Sequence, residues 1–440
     1  MIVRASVLLW GTTIGRVLFD DSNGRTFFQY DKNFVKSGIQ VSPINMPLSN
    51  IAYSFTELNR KSFKGLPGLL ADSLPDKFGT LLNDSWFEEH GIDPKNMNVV
   101  ERLCYVGERG MGALEYKPSK TMASSIEENL RVNKLVETAN YVLSKRKEVS
   151  VKPIDGIDVL VNVGGSAGGA RAKALVAYCE KTNEFRSGQV DAGDDFTYWL
   201  IKFDGVKNNT DKDADKVTYF TRIEYAYYLM ATSAGIKMSE SKLYKENKLY
   251  HFMTKRFDRE IVNGKMQKIH MQSLSALEHI DFEDAGAFSY EQVFSTFEKL
   301  RIFQSDTEEF FRRMVFNVLA INRDDHVKNI SFLMNQEGEW SLSPAYDVTY
   351  AYNPVGIWTS SHQMTINGKR KDILIDDLLA AAKTMAIGNA KAKAIIQQVH
   401  AAVLSFPIFA KQASLPEKET RHINIAITDN LKTMGFDSVP

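Results

Sequence analysis

The chain opens on short apolar runs separated by polar turns. "SVLLW", "GRVLFD" and "TFFQY" are divided by "GTT" and "DDSNG". Runs of this length bounded by Gly, Asn and Ser predict a strand meander, with Ser-Asn-Gly as a tight turn. "GLPGLLADSLPDKFGTLLNDSWFEEHG" predicts helix broken by proline and glycine, and "CYVGERGMGALEY" a loop leading into a strand. "EENLRVNKLVETANYVLSKR" has helical spacing. From Val159 short apolar runs return: "VLVNV", "ALVAYC", "TYWLIKF", "KLY" and "HFMTKRF". They predict a small sheet with one inserted helix, "RIEYAYYLMATSAG", on which Ile223, Tyr227, Met230, Ala231 and Ala234 share a face. After about residue 256 helices dominate. "SDTEEFFRRMVFNVLAIN" carries Ser305 and Glu308 at capping-box spacing and an apolar stripe of Phe311, Met314, Val315, Val318 and Leu319. "ISFLM" and "EWSLS" predict a hairpin across "NQEG", and the tail from "DILIDDLLAAAKTM" onward predicts helices. Polar "KPSKTMASSIEEN" (117–129) marks the first boundary. The organisation expected is an N-terminal α/β subdomain at 1–120, a lobe with a Gly-rich loop at 121–255 and a helical lobe with a catalytic loop at 256–440.

Composition narrows the class. At 440 residues, 44% hydrophobic and 25% charged, the chain is an ordinary globular one with room for several domains. Lys+Arg and Asp+Glu balance at 54 each, so no global field favours nucleic acid or membrane. Two cysteines, Cys104 and Cys179, argue for a reducing cytoplasm rather than a disulfide framework. The N-terminus reads as a strand rather than a signal peptide, and no apolar run approaches the roughly 20 residues of a membrane span.

The densest chemistry lies in "NRDDHVKN" (322–329), placed after the apolar helix. A charged helix end explains it blandly; a phosphoryl-transfer loop explains it sharply. Phosphoryl transfer needs a carboxylate for the attacking hydroxyl, oxygen ligands for Mg²⁺ and cations on the phosphates. Protein kinases arrange the first two as H-R-D-x-x-x-x-N with a later metal-binding Asp. Here the spacing selects Asp324 over Asp325 as base, because Asn329 lies five residues on. Lys328 is placed to hold a phosphate or the carboxylate, and Asp347 in "SPAYDV" stands where the metal Asp belongs. Upstream, "NVGGSAGGARAKALVAY" brings Gly164, Gly165, Gly168 and Gly169 before a strand, where backbone amides approach anionic oxygens. Lys202 ends "TYWLIK", and Glu224 follows 22 residues later on a helix as its candidate partner. Singly each feature reads as a turn or a surface charge; the ordered set is hard to obtain by chance. "DKDADK" (211–216) departs from an EF-hand at its Gly and final Glu, the histidines form no zinc pair, and "NGKRK" (367–371) reads as a solvated turn.

With these residues the sequence resembles the HipA family of bacterial serine/threonine kinase toxins. "GLPGLLADSLPDKFG", "GERGMGA", the Gly-rich stretch, "KRFDR", "DDHVKNISF" and "SPAYDV" occur in family order along essentially the whole chain. The resemblance implies an α+β fold: a two-lobed, protein-kinase-like core related to phosphoinositide kinases, an N-terminal α/β region and an all-helical C-terminal lobe. It implies Asp324 and Lys328 as catalytic, Asn329 and Asp347 as Mg²⁺ ligands, and an ATP site. That site is drawn from Gly168, Gly169, Ala170, Arg171, Ala172, Lys173, Lys202, Glu224, Lys255, Arg256, Phe257, His326 and Tyr346. Ser166 falls where the family carries an inhibitory autophosphorylation serine, whose added charge would eject the phosphate loop. The chain departs from the common D-G-H by reading D-D-H, which puts the charge around Asp325 in question. The resemblance also implies a HipB-like helix-turn-helix antitoxin, operator DNA reached mainly through it, no membrane partner, and a protein target such as glutamyl-tRNA synthetase, with persistence as the outcome. A small-molecule kinase, or a non-catalytic co-repressor in an antitoxin–DNA complex, remains as an alternative.

Overall fold

The computed structural model describes residues 2–120, 129–144, 156–165, 169–207 and 219–436. Strands β1 (Ile2–Leu9), β2 (Thr12–Asp20) and β3 (Arg25–Tyr30) form the expected meander. β4 (Leu114–Lys117) adds to the free side of β1, giving an antiparallel sheet in the order β3-β2-β1-β4. The first turn is tighter than "GTT" suggested. Trp10 and Gly11 occupy it with φ of 48° and 78°, the two left-handed positions that match the twist of a two-residue hairpin. Alternation buries Ala5, Val7 and Leu9 on one face. The helix Val99–Val106 packs on β1 and begins with a complete capping box between Asn98 and Glu101.

A second antiparallel sheet contains β5 (Lys173–Cys179), β6 (Glu184–Ser187), β7 (Thr197–Lys202), β8 (Ser241–Glu246) and β9 (Leu249–Lys255), ordered β6-β5-β7-β9-β8. Its register sets Lys173 opposite Lys202. The inserted helix, Phe220–Ser233, lies against β8 and β9. All five residues assigned to its apolar face are buried. "VLVNV", expected as a strand, is instead part of the helix Ile157–Gly164. A five-residue apolar run fits either period. Ile157, Leu160, Val161 and Gly164 recur at helical spacing, and packing against the helices Lys77–Glu89 and Val132–Ser144 settles it.

β10 (Arg259–Val262) and β11 (Lys265–Lys268) form a hairpin, and β12 (His270–Ser273) pairs with β13 (Ser331–Met334), which pairs with β14 (Trp340–Leu342). Apart from this small sheet the C-terminal lobe is helical: Tyr290–Leu300, Gln304–Leu319, Ile375–Thr384, Asn389–Leu404, Phe406–Gln412 and Glu417–Thr433. Ser305 does not cap its helix. The backbone closes two residues earlier, with Asp306 N and Thr307 N bonding Phe303 O, so Phe303 takes the N-cap position without a side-chain bond.

Two cores result. The N-terminal sheet shares one with the C-terminal helices. The five-stranded sheet shares the other with the helices Lys77–Glu89, Val132–Ser144 and Ile157–Gly164. The chain crosses between them at "LPD": Leu74 belongs to the first core and Phe78 to the second. No single helix among the described residues is long and apolar enough to cross a membrane. Both cysteines are buried and unbridged.

Candidate active site

The upper wall is built by β7 and the helix after it. β7 delivers Lys202 at its last position, and one turn into the helix Glu224 points back at it. Nζ of Lys202 lies 2.6 Å from Glu224 Oε1 and also bonds Asp347 Oδ1. Burial alone would lower Lys202, but the carboxylates of Asp347 and Glu224 outweigh it and hold the ammonium well above its ordinary range. Burial likewise pushes Asp347 up, yet Lys202 and then Lys173 keep its carboxyl below the usual carboxylate range. Glu224 is raised, by burial first, with Lys202 opposing. Lys173 is lowered by burial and by the neighbouring charge of Lys202. Asp347 itself holds φ of 52°, a left-handed conformation that non-glycine residues seldom take outside constrained sites.

Of the Gly-rich stretch, Ser166 and Gly168 lie outside the described residues, as does "DKDADK". Gly165 O accepts from Asn83 Nδ2 at 3.0 Å. Gly169 has φ of 93°, a conformation that favours glycine, and a Cβ there would displace Lys173 Nζ. Ala170 follows, Arg171 lies 4.2 Å over the Phe220 ring, and the Ala172 carbonyl accepts from Phe203 N. The segment thus runs straight into Lys173 and β5.

The three residues of "KRF" have different fates. Lys255 closes β9, with its amine 3.7 Å from Glu240. Phe257 stands against Tyr346, ring centroids 5.6 Å apart. The Arg256 side chain is taken up by an ion pair with Asp258. Its guanidinium makes two 2.8 Å bonds to Asp258 and a third contact to Gly188 O, so its side chain is a structural group of the linker between lobes. The sequence reading had no way to see Asp258 as its counter-ion, because "KRFDR" offers several pairings.

The lower wall is the loop after the helix Gln304–Leu319. Asp324 Oδ1 accepts from Trp358 Nε1 at 2.6 Å and lies 3.8 Å from His326 Nε2. Its backbone carbonyl accepts from Asn329 Nδ2 at 2.8 Å, which ties base and metal-ligand candidate into one turn. Asp325 faces the other way. Buried at 3% exposure, it accepts from Gln363 N and Tyr290 OH and pairs with His362 Nδ1 at 2.7 Å. The extra carboxylate of D-D-H therefore anchors the loop from behind. Burial would raise it, but His362 holds it low. Tyr346 OH bonds Ser331 Oγ and donates to Lys328 O, fixing the turn that carries Lys328 and Asp347. A small cavity of about 40 Å³ gathers Asp324, His326, Asn329, Tyr346 and Asp347 on its walls.

Two participants carried no role in the sequence reading. Trp358 reaches Asp324 across 34 residues, and Asp76 bonds Lys328 across 252. Neither has a local spacing signal, though Asp76 stands inside the quoted "SLPDKFG".

Comparison with known proteins decides the family. A model of the HipA N-terminal domain matches residues 5–117, and one of the HipA-like C-terminal domain matches residues 165–406. The chain belongs to the HipA family. Among solved structures it is similar to HipA of Shewanella oneidensis MR-1, determined within a toxin–antitoxin complex of HipA, HipB and operator DNA. The identity is 17%, with 98% of this chain and 96% of that chain covered and a TM-score of 0.66. The fold is therefore that of HipA: α+β, with antiparallel sheets and a helical C-terminal lobe. A weaker likeness, TM-score 0.34 at 12% identity over 54% of this chain and 88% of the other, is to the Helicobacter pylori proinflammatory kinase CtkA.

Proposed function

We propose that this HipA-family chain is an Mg·ATP-dependent kinase that transfers the γ-phosphoryl group to a serine or threonine hydroxyl of a protein. The observation that carries the reading is Lys202, bonded at once by Glu224 from the upper lobe and Asp347 from the lower. That arrangement fixes a cation and a carboxylate where nucleotide phosphates and a metal meet in kinases. The donor set suits Mg²⁺: Asn329 and Asp347 offer hard oxygen ligands, and Asp347 is kept ionised. Bound there, Mg²⁺ would neutralise charge on the phosphates.

The chain's own residues supply the rest. Lys202, Lys173 and Lys328 bring positive charge to the phosphates. Asp324 takes the proton from the attacking hydroxyl as its oxygen bonds the γ-phosphorus and the bond to the ADP oxygen breaks. Trp358 holds Asp324 in one rotamer, so the carboxylate need not reorganise during transfer. Phe257 and Tyr346 form an aromatic edge beside which adenine would sit.

By analogy with the Shewanella complex, a HipB-like helix-turn-helix antitoxin restrains the toxin and operator DNA is reached through that partner. The balanced charge of this chain fits an indirect route to DNA. Cytoplasmic action, an aminoacyl-tRNA synthetase target such as the glutamyl enzyme, and autophosphorylation at Ser166 complete the reading. The test is intact mass and peptide mapping after incubation with ATP and Mg²⁺, alone and with synthetases. Wild type should gain phosphate on Ser166 or transfer it to protein, and Asp324→Asn should fall by about 10²-fold or more. Wild type purified free of phosphate that modifies neither itself nor protein would overturn the proposal.

A further inference from the structure

Asp76 stands where the chain passes from one core to the other, between Leu74 and Phe78. It occupies the N-cap position of the helix Lys77–Glu89, yet its side chain makes no capping bond. An N-cap aspartate ordinarily turns toward the first-turn amides of its own helix. This one reaches outward in two directions. Oδ1 bonds Lys328 Nζ on the catalytic loop, and Oδ2 accepts from Gly169 N at 2.7 Å at the end of the Gly-rich segment. One carboxylate from the N-terminal region thus joins the two pieces that a nucleotide's phosphates would contact from opposite lobes.

We propose that Asp76 is a positioning residue of the phosphate site, aiming the Lys328 ammonium and fastening the end of the Gly-rich segment before nucleotide arrives. The inference rests on the kinase reading above and extends its site to the N-terminal region. Asp76 does not act by blocking that site. A lysine ammonium has three N–H donors, so the bond to Asp76 leaves two for a phosphate oxygen. The side chains of Lys328 and Asp76 keep 21% and 25% exposure, so the pair stays open to a ligand. Phe282, its ring centroid 5.1 Å from Nζ, confines the amine further. Without its carboxylate this amine would lose its direction.

The experiment is a cycle of wild type, Asp76→Asn, Lys328→Ala and the double variant, read as Mg·ATP affinity with a fluorescent ATP analogue. Thermal melts establish that each is folded. Asn keeps an acceptor for Gly169 N–H and removes the charge, so Asp76→Asn isolates the Lys328 contact; Asp76→Ala removes both. Asp76→Asn should weaken binding by about tenfold, Asp76→Ala by more, and the double variant by no more than Lys328→Ala alone, since coupled residues are non-additive. Three results would overturn the inference: a folded Asp76→Asn within about twofold of wild type, tighter binding by that variant, or losses that simply multiply. Wild type that fails to bind Mg·ATP would strike the kinase reading itself, a result distinct from a wild type that binds and an Asp76→Asn that binds equally well.

Discussion

Two charged clusters of this molecule look alike on paper and behave differently. Asp258 sits between Arg256 and Arg259, with every member of the trio about 1% exposed. Lys202 sits between Glu224 and Asp347, with the lysine and glutamate below 10% exposed but Asp347 at 36%. In the first cluster Asp258 accepts from both arginines and from Gly112 N at 2.7 Å, and the arginines go on to bond Gly110 O, Gly112 O and Gly188 O. Protein groups enclose it on every side, leaving Arg259 Nε as its one buried atom without a partner among the described residues. In the second, one carboxylate keeps a face toward the cleft. Desolvated charge is tolerated where partners saturate it; where they leave a vacancy on one side, the group is available for chemistry. The lesson is that coordination, more than burial, separates scaffold from site.

Three measurements sharpen or break this contrast. The largest effect should come from Asp258→Asn, which leaves two guanidiniums facing each other without their counter-ion. Denaturant unfolding should show a loss of about 3–5 kcal/mol; unchanged stability would mean the trio is not what holds the linker. Next, Asp347→Asn should cut phosphoryl transfer by about 10²-fold while moving stability by about 1 kcal/mol or less. If it unfolds the protein as Asp258→Asn does, the two clusters are of one kind after all. The smallest effect concerns pH. His251 and His270 are pushed down to about 4 by burial. The unfolded chain therefore takes up protons first, and stability falls as pH drops from the ordinary histidine value toward 4. One pH unit below that value each histidine should cost about 1.4 kcal/mol. Asp258 and Asp347, both held low, add their losses only below the ordinary carboxylate range. Urea midpoints at neutral and mildly acidic pH would show the slope, and His270→Gln should flatten it.

Much of this was legible in the sequence where partners are fixed by local spacing. The stripe Phe311, Met314, Val315, Val318, Leu319 is buried throughout, because helical periodicity declares its own inner face. Glu224 was named as partner of Lys202 because a strand end followed by a helix brings such residues together, and the structure joins them. Spacing to Asn329 chose Asp324 over Asp325, and in the fold three donors turn Asp325 inward. What stayed hidden depends on distant segments. The helix at 157–164 was misread because its periodicity is decided by neighbours. Asp76 carries no local signal of its role because its partners lie 93 and 252 residues away. Arg256 was named with the hinge, and its side chain is held by a residue two positions on.

The closed trio also bears on how this family can be recombined. Its arginines come from the stretch matched by the C-terminal model, and the glycines that complete their bonding, Gly110 and Gly112, from the stretch matched by the N-terminal model. The two modules therefore share one charge balance. Grafting the N-terminal piece of a relative onto this C-terminal piece would have to bring a matching glycine loop, or the chimera would carry a buried arginine short of acceptors.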